Sequence, residues 1–170
     1  MNSNQIFIGN WNATLQVFDI PIPEPFQAFK MHDIKLKAGV RTMCILEGKT
    51  WGFADVLVCG ENDGWIEIVR TDSMEVRISK KFEKMGHIYQ VQTTSLANDI
   101  CICSYTGVHF VKIHYEKKND TMSLHENSVN YLTANFINKV LEFAPGRFLA
   151  SVWDSNKYVI IDHEQESISQ

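Results

Sequence analysis

The feature that most constrains this chain is a strand–turn–strand unit that recurs along it. Residues 55–70 show it most clearly. An apolar run at 56–59 leads into the turn Glu61-Asn62-Asp63-Gly64, and a second run follows at 65–69. Glycine reaches positive φ without steric cost, so Gly64 lets the chain reverse and the two runs pair as a hairpin. Turns of the same design centre on Ala13, Gly107 and Asn156, giving intervals of 51, 43 and 49 residues. Each interval has room for roughly four short strands. A small sheet that is apolar on both faces must be sandwiched between neighbours, so the repeat predicts stacked sheets. No run of ten or more residues carries a clear helical period. Residues 130–140 come nearest, and Asn135 and Asn138 interrupt them. The chain is expected to be all-β.

The strands can be placed in order. Residues 6–9 and 15–19 flank the first turn. Pro21, Pro23 and Pro25 then exclude a strand interior, because proline lacks the N–H and fixes φ. An outer strand resumes near residues 26–31. Residues 40–46, the hairpin at 55–70, and the strictly alternating 74–78 complete the second repeat. Residues 80–86 read as a polar connection. The third repeat takes 88–93, 100–103 and 108–113, with an outer strand within 123–132. The fourth takes 136–143, 148–153 and 157–162, with a last edge strand near 167–169. The whole chain, 1–170, reads as one segment of about four units, at 6–36, 40–79, 88–130 and 136–169.

Composition bounds the partners. The 170 residues include 45% hydrophobic and 21% charged, so the chain is expected to fold around a real core, and the net charge is -4. The longest basic runs are pairs, Lys80-Lys81 and Lys117-Lys118, which argues against nucleic acid or an anionic membrane as partner. The start, MNSNQIFIGNW, lacks the basic-then-apolar pattern of a signal peptide, and no stretch reaches the roughly 18 apolar residues of a membrane span. A cytoplasmic or nuclear location is expected. Cys44, Cys59, Cys101 and Cys103 all lie in apolar runs and read as buried free thiols, without metal-ligand spacing.

The period is that of a propeller blade, and the sequence resembles the WD-repeat family of β-propellers. Val17-Phe18-Asp19 resembles that family's terminal Trp-Asp, and Ile160-Ile161-Asp162 keeps the aspartate. Gly86-His87 precedes a strand, where the family often has Gly-His. Asp63 and Asp154 fall where it often has a turn aspartate. Ala144-Pro145-Gly146 followed by Phe148-Leu149-Ala150-Ser151 resembles its turn and "LAS" strand. Val69-Arg70 and Ile113-His114 depart from the pattern. The resemblance implies an all-β propeller of about four four-stranded blades, the first lacking its inner strand. Closed rings of this family mostly have seven or eight blades, so the chain corresponds to about half a ring. Half a ring would expose apolar end faces. Four solutions follow: a longer protein supplies the remaining blades, two copies close on each other, a different chain closes the ring, or four blades close alone.

The resemblance also implies which residues matter. The hairpin turns would gather on one face, presenting Trp11, Asn12, Asn62, Asp63, Tyr105, Thr106, Asp154 and Ser155 to a partner, with His87 nearby. Structural roles are expected for His87, as a buried bridge between strands, for Asp19 and Asp162 as turn caps, and for Gly64 and Gly107. Trp153 is expected to pack between blades and Trp65 in the core, with Trp51 on the opposite face. Glu61 and Asp63 read as a solvated rim rather than an acid/base pair. Gly48-Lys49-Thr50 lacks the glycines and helix of a phosphate loop, and Ser104, Thr106 and Ser151 lack a nucleophile elbow. The expectation is a non-catalytic scaffold that binds a protein or a partly basic peptide, with no cofactor, no metal, no nucleic acid and no membrane. The alternatives are an architectural segment of a larger regulatory protein and, last, a propeller enzyme.

Overall fold

A computed structural model of the protein describes residues 4–20, 28–50, 52–96, 99–126, 131–132, 137–153, 156–163 and 167–169. Among these residues the chain forms sixteen strands and two single-turn 3-10 helices, arranged as four antiparallel sheets in chain order. Sheet A contains β1 (Asn4–Asn10), β2 (Thr14–Ile20) and β3 (Phe29–Lys35). Sheet B contains β4 (Val40–Leu46), β5 (Val56–Glu61), β6 (Trp65–Arg70) and β7 (Val76–Lys81). Sheet C contains β8 (Ile88–Thr93), β9 (Asp99–Ser104), β10 (Gly107–Glu116) and β11 (Thr121–Glu126). The two-residue β12 (Tyr131–Leu132) also pairs with β10. Sheet D contains β13 (Ile137–Ala144), β14 (Arg147–Val152), β15 (Tyr158–Asp162) and β16 (Ser167–Ser169).

Within each sheet consecutive strands are neighbours, because each is joined to the next by a short turn. The first strand of sheets B, C and D is the inner one: β4 lies against β8, and β8 against β13. Sheet A has no such strand among the described residues, and β1, its second-position strand, forms the edge. Among the described residues the end sheets A and D are not packed against each other, so the arc is open.

Three apolar clusters hold the arc together, one per junction. Leu15, Val17 and Ile34 of sheet A meet Leu57, Cys59 and Val69 of sheet B. Val58, Ile66 and Ile68 of sheet B meet Ile88, Ile100, Ile102 and Ile113 of sheet C. Cys101, Cys103 and Phe110 of sheet C meet Phe148, Ala150 and Ile161 of sheet D. Alternation makes this possible: Leu57 and Cys59 point to one neighbour while Val56 and Val58 point to the other, so the central strands are buried along their full length. The blades also approach closely. A Cβ on Gly9 would lie 2.5 Å from Val40 Cγ1, and one on Gly60 would lie 2.7 Å from Ile88 Cγ2.

Several local expectations change. The stretch 80–86 is not merely polar: Phe82 and Met85 are buried in the junction between sheets B and C. The outer strand of sheet A runs over Phe29–Lys35, later than the sequence suggests. Its residues 26–27 lie outside the described set, as does Trp51. Residues 137–140, the helix-like stretch, open strand β13 instead, because Ile137 and Val140 are needed against sheet C.

Candidate interaction rim

The hairpin turns and the sheet-to-sheet connections form one rim. Backbone hydrogen bonds lock them together: Leu36 N–H to Ala13 O (2.9 Å), Asn62 N–H to Gly39 O (3.0 Å), Phe82 N–H to Gly64 O (2.9 Å) and Tyr105 N–H to His87 O (2.9 Å). In the second turn Asp63 and Gly64 both adopt left-handed backbone, at φ 59 and 81. A side chain at Gly64 would also meet Phe82 O at 2.4 Å, so glycine is required there twice over. Ala13 holds φ 60 without that freedom, at a cost of about 1 kcal/mol.

The most distinctive grouping on the rim spans three sheets. The Arg41 guanidinium of β4 sits 5.1 Å from the Trp11 ring of the first turn and 5.3 Å from the Tyr89 ring of β8. Its Nη1 donates to Asn62 Oδ1 at 3.2 Å. A cation between two aromatic faces is held by both ring quadrupoles, which fixes Trp11 although its side chain is 70% exposed. Asn12 beside it is exposed. Asp63 is exposed and lies 4.0 Å from His87 Nδ1. Tyr105 is 48% exposed, over Gly86. Trp153, after β14, is 58% exposed, which corrects its expected place between blades. Trp65 is only half-buried. Asp154 and Ser155 lie outside the described residues.

Two expected roles change hands. His87 is exposed on the rim rather than a buried bridge. The buried histidine is His109, whose Nε2 lies 3.1 Å from Thr106 Oγ1 and whose Nδ1 lies 3.5 Å from Glu126 Oε1. Thr106 donates its hydroxyl to Lys84 O (3.0 Å) and lies 3.2 Å from Ser104 Oγ. Its side chain therefore ties the third turn to the connection before it, leaving Tyr105 as the outward group. The signal was period two: His109 shares a face with Val111 and Ile113, both core residues.

Glu61 is the second correction. It is completely buried at the end of β5, not solvated, because the chain at 36–39 folds over it. Its Oε2 accepts Ala38 N–H at 2.7 Å, and Glu67 Oε2 accepts Lys37 N–H at 2.7 Å. Burial, and then the hydrogen bond and charge of Glu67, push Glu61 up to about 9. The two carboxylates bolt the connection between sheets A and B. Enclosed this way they cannot reach a substrate. Burial likewise pushes the thiols up, Cys44 and Cys103 to about 12 and Cys59 and Cys101 further, so they are poor nucleophiles. Asp162 lies 3.6 Å from Arg147 Nε at the end of β15, Asp19 ends β2 half-buried, and Gly107 opens β10 at φ 141. Among the described residues no three His, Cys, Asp or Glu side chains converge as a metal site.

No family model and no curated protein matches the sequence. Solved structures do. One is the β-propeller domain of Cps50 (Swd1) from Myceliophteria thermophila, at a TM-score of 0.75 and 12% identity, over 98% of this chain and 56% of that one. The fold is a β-propeller. A second similar structure is the computationally designed Ika8 protein, at a TM-score of 0.67 and 10% identity, over 100% of this chain and 46% of that one. The chain thus spans about half the length of both. The rim is a propeller rim, built from the second-to-third strand turns and the connections between blades.

Proposed function

We propose that this propeller arc is a non-catalytic binding module that presents its turn-bearing rim to a protein or peptide. The observation that supports the reading is the Trp11–Arg41–Tyr89 stack, which holds exposed aromatic surface in a fixed place across three blades. Aromatic groups immobilised before binding contribute large contact area at little entropic cost. Tyr105 and Trp153 extend the same rim, and Asp63, in the second turn, offers an exposed carboxylate on it. A peptide with a basic residue next to an apolar one suits this set. The test is a random-peptide display selection against the chain, followed by calorimetry on selected peptides. Sequences enriched in Lys or Arg, losing at least tenfold in affinity against Trp11→Ala with Tyr105→Ala, are expected. Equal affinity for the double variant overturns the reading.

A second reading, an architectural segment of a larger assembly, is favoured by the end faces. Sheet D exposes Leu141 (62%), Phe143 (50%) and Tyr158 (61%), and sheet A exposes Ile6 and Ile8. Further blades, from the same polypeptide or a second copy, would cover both. Light scattering distinguishes these: a stable species near twice 19.5 kDa supports closure by a second copy.

A further inference from the structure

Building on the binding-module reading, we propose that Arg41 binds a carboxylate of the peptide, so that the ligand of the rim carries an acid as well as a base.

The backbone aims this side chain. In the inner strands of sheets B, C and D the register with the next strand slips at the same place: between Val40 and Thr42, between Ile88 and Gln90, and between Ile137 and Lys139. The extra residues are Arg41, Tyr89 and Asn138, each the second of its strand. A bulged residue has no cross-strand partner, and the local bend turns its side chain out of the sheet's alternation. Val40 and Ile88 still enter the blade junctions and are buried. Arg41 and Tyr89, from adjacent blades, instead meet on the rim, with the guanidinium 5.3 Å from the Tyr89 ring.

The guanidinium is held without being used up. Trp11 and Tyr89 flank it, and Asn62 Oδ1 accepts an N–H of Nη1 at 3.2 Å. Its remaining N–H donors have no acceptor among the described residues, and Arg41 is exposed. The other arginines differ. Arg70 lies 2.6 Å from Asp72, Arg77 lies 3.0 Å from Asp120, and Arg147 lies 3.6 Å from Asp162. Among the described residues Arg41 has no carboxylate at ion-pair distance, although it is the arginine fixed between two rings. Ordering a long side chain is a large part of the entropic cost of a new ion pair, and here the rings and Asn62 have met it before a ligand arrives.

The donor set defines the ligand group. A guanidinium offers N–H groups in a planar fork that matches the two oxygens of a carboxylate, and such charge-assisted pairs are short and directional. A phosphate dianion suits the place less, because Asp63 is exposed in the same turn as Asn62 and the chain carries a net charge of -4. Asp63 faces the base of the peptide and Arg41 its acid.

The test runs the peptide selection in parallel on the full chain and on Arg41→Lys. Lysine keeps the positive charge beside Trp11 and Tyr89 but lacks the fork. Peptides selected on the wild type should carry a carboxylate, and synthesis separates its two sources: one copy has Asp or Glu replaced by the amide, the other has its C-terminus amidated. One of these copies should bind the wild type at least tenfold more weakly by calorimetry, and should lose less than about threefold on Arg41→Lys, the mark of a direct pair. A second measurement needs no selected peptide. Sodium acetate, titrated at constant ionic strength into the full chain isotope-labelled at arginine, should shift the Arg41 Nε–H resonance well beyond those of Arg70, Arg77 and Arg147. Peptides that depend on Trp11 and Tyr105 but carry no carboxylate, or that lose equally on both proteins when it is amidated, would overturn the role of Arg41 and leave the binding module standing. An Arg41 resonance that acetate does not move, or moves no more than the other three, overturns it as well.

Discussion

Replacing Glu61 by glutamine should make the protein less sensitive to pH. The folded state holds a proton on Glu61 up to about 9, against an ordinary 4.5, because the carboxyl is buried beside Glu67. An acid whose folded value is raised binds more protons folded than unfolded. Its stabilising contribution is therefore full below pH 4.5 and is lost as pH rises toward 9. The slope is about 1.4 kcal/mol per pH unit for one proton, or about 4 kcal/mol between pH 5 and pH 8. Glutamine keeps the geometry: its carbonyl oxygen can accept Ala38 N–H and its amide can donate to Glu67, with no proton to retain. Urea unfolding followed by circular dichroism at half-unit pH steps should give a falling curve for the wild type and a flatter one for Glu61→Gln. The variant should be the more stable at pH 8. Parallel curves from pH 5 to 8 would refute the reasoning that Glu61 keeps its proton in the folded state. Glu61→Ala is the control for geometry: it orphans Ala38 N–H and opens a void, and should lose about 2–4 kcal/mol at every pH.

Other consequences are simpler to check. Gly64→Ala forces a Cβ into left-handed backbone and against Phe82 O, and should cost about 2 kcal/mol or more in denaturant unfolding. Thr106→Val removes the hydroxyl that joins Lys84 O to buried His109 and should cost about 1–3 kcal/mol, with exchange protection lost first in residues 82–87. Ellman's reagent at pH 8 should find Cys59, Cys101 and Cys103 silent in the native protein and all four thiols in urea. Leu141→Lys with Tyr158→Lys should reduce binding of a hydrophobic dye without lowering the unfolding midpoint, since both side chains lie on the open face of sheet D.

The sequence by itself determined the strand order and the repeat. Period-two alternation fixes which residues of 56–59 face each neighbour, and turn residues such as Asn62, Asp63 and Gly64 fix where the chain reverses. Both are local properties, so they survive being read one stretch at a time. What the sequence could not decide was which residues meet across blades. Period two places His109, inside β10, on the core face, whereas only the folding of 82–87 over the third turn shows that His87, ahead of β8, stays at the surface. Glu61 and Asp63 stand two apart in one turn, yet the connection at 36–39 covers Glu61 and leaves Asp63 in water. Arg41, Tyr89 and Trp11 carry no mutual signal, being separated by 30 or more residues. Their stack exists because successive blades are rotated about a common axis, which brings distant turns to one rim. Burial and pairing across blades are properties of that rotation, and no local pattern encodes it.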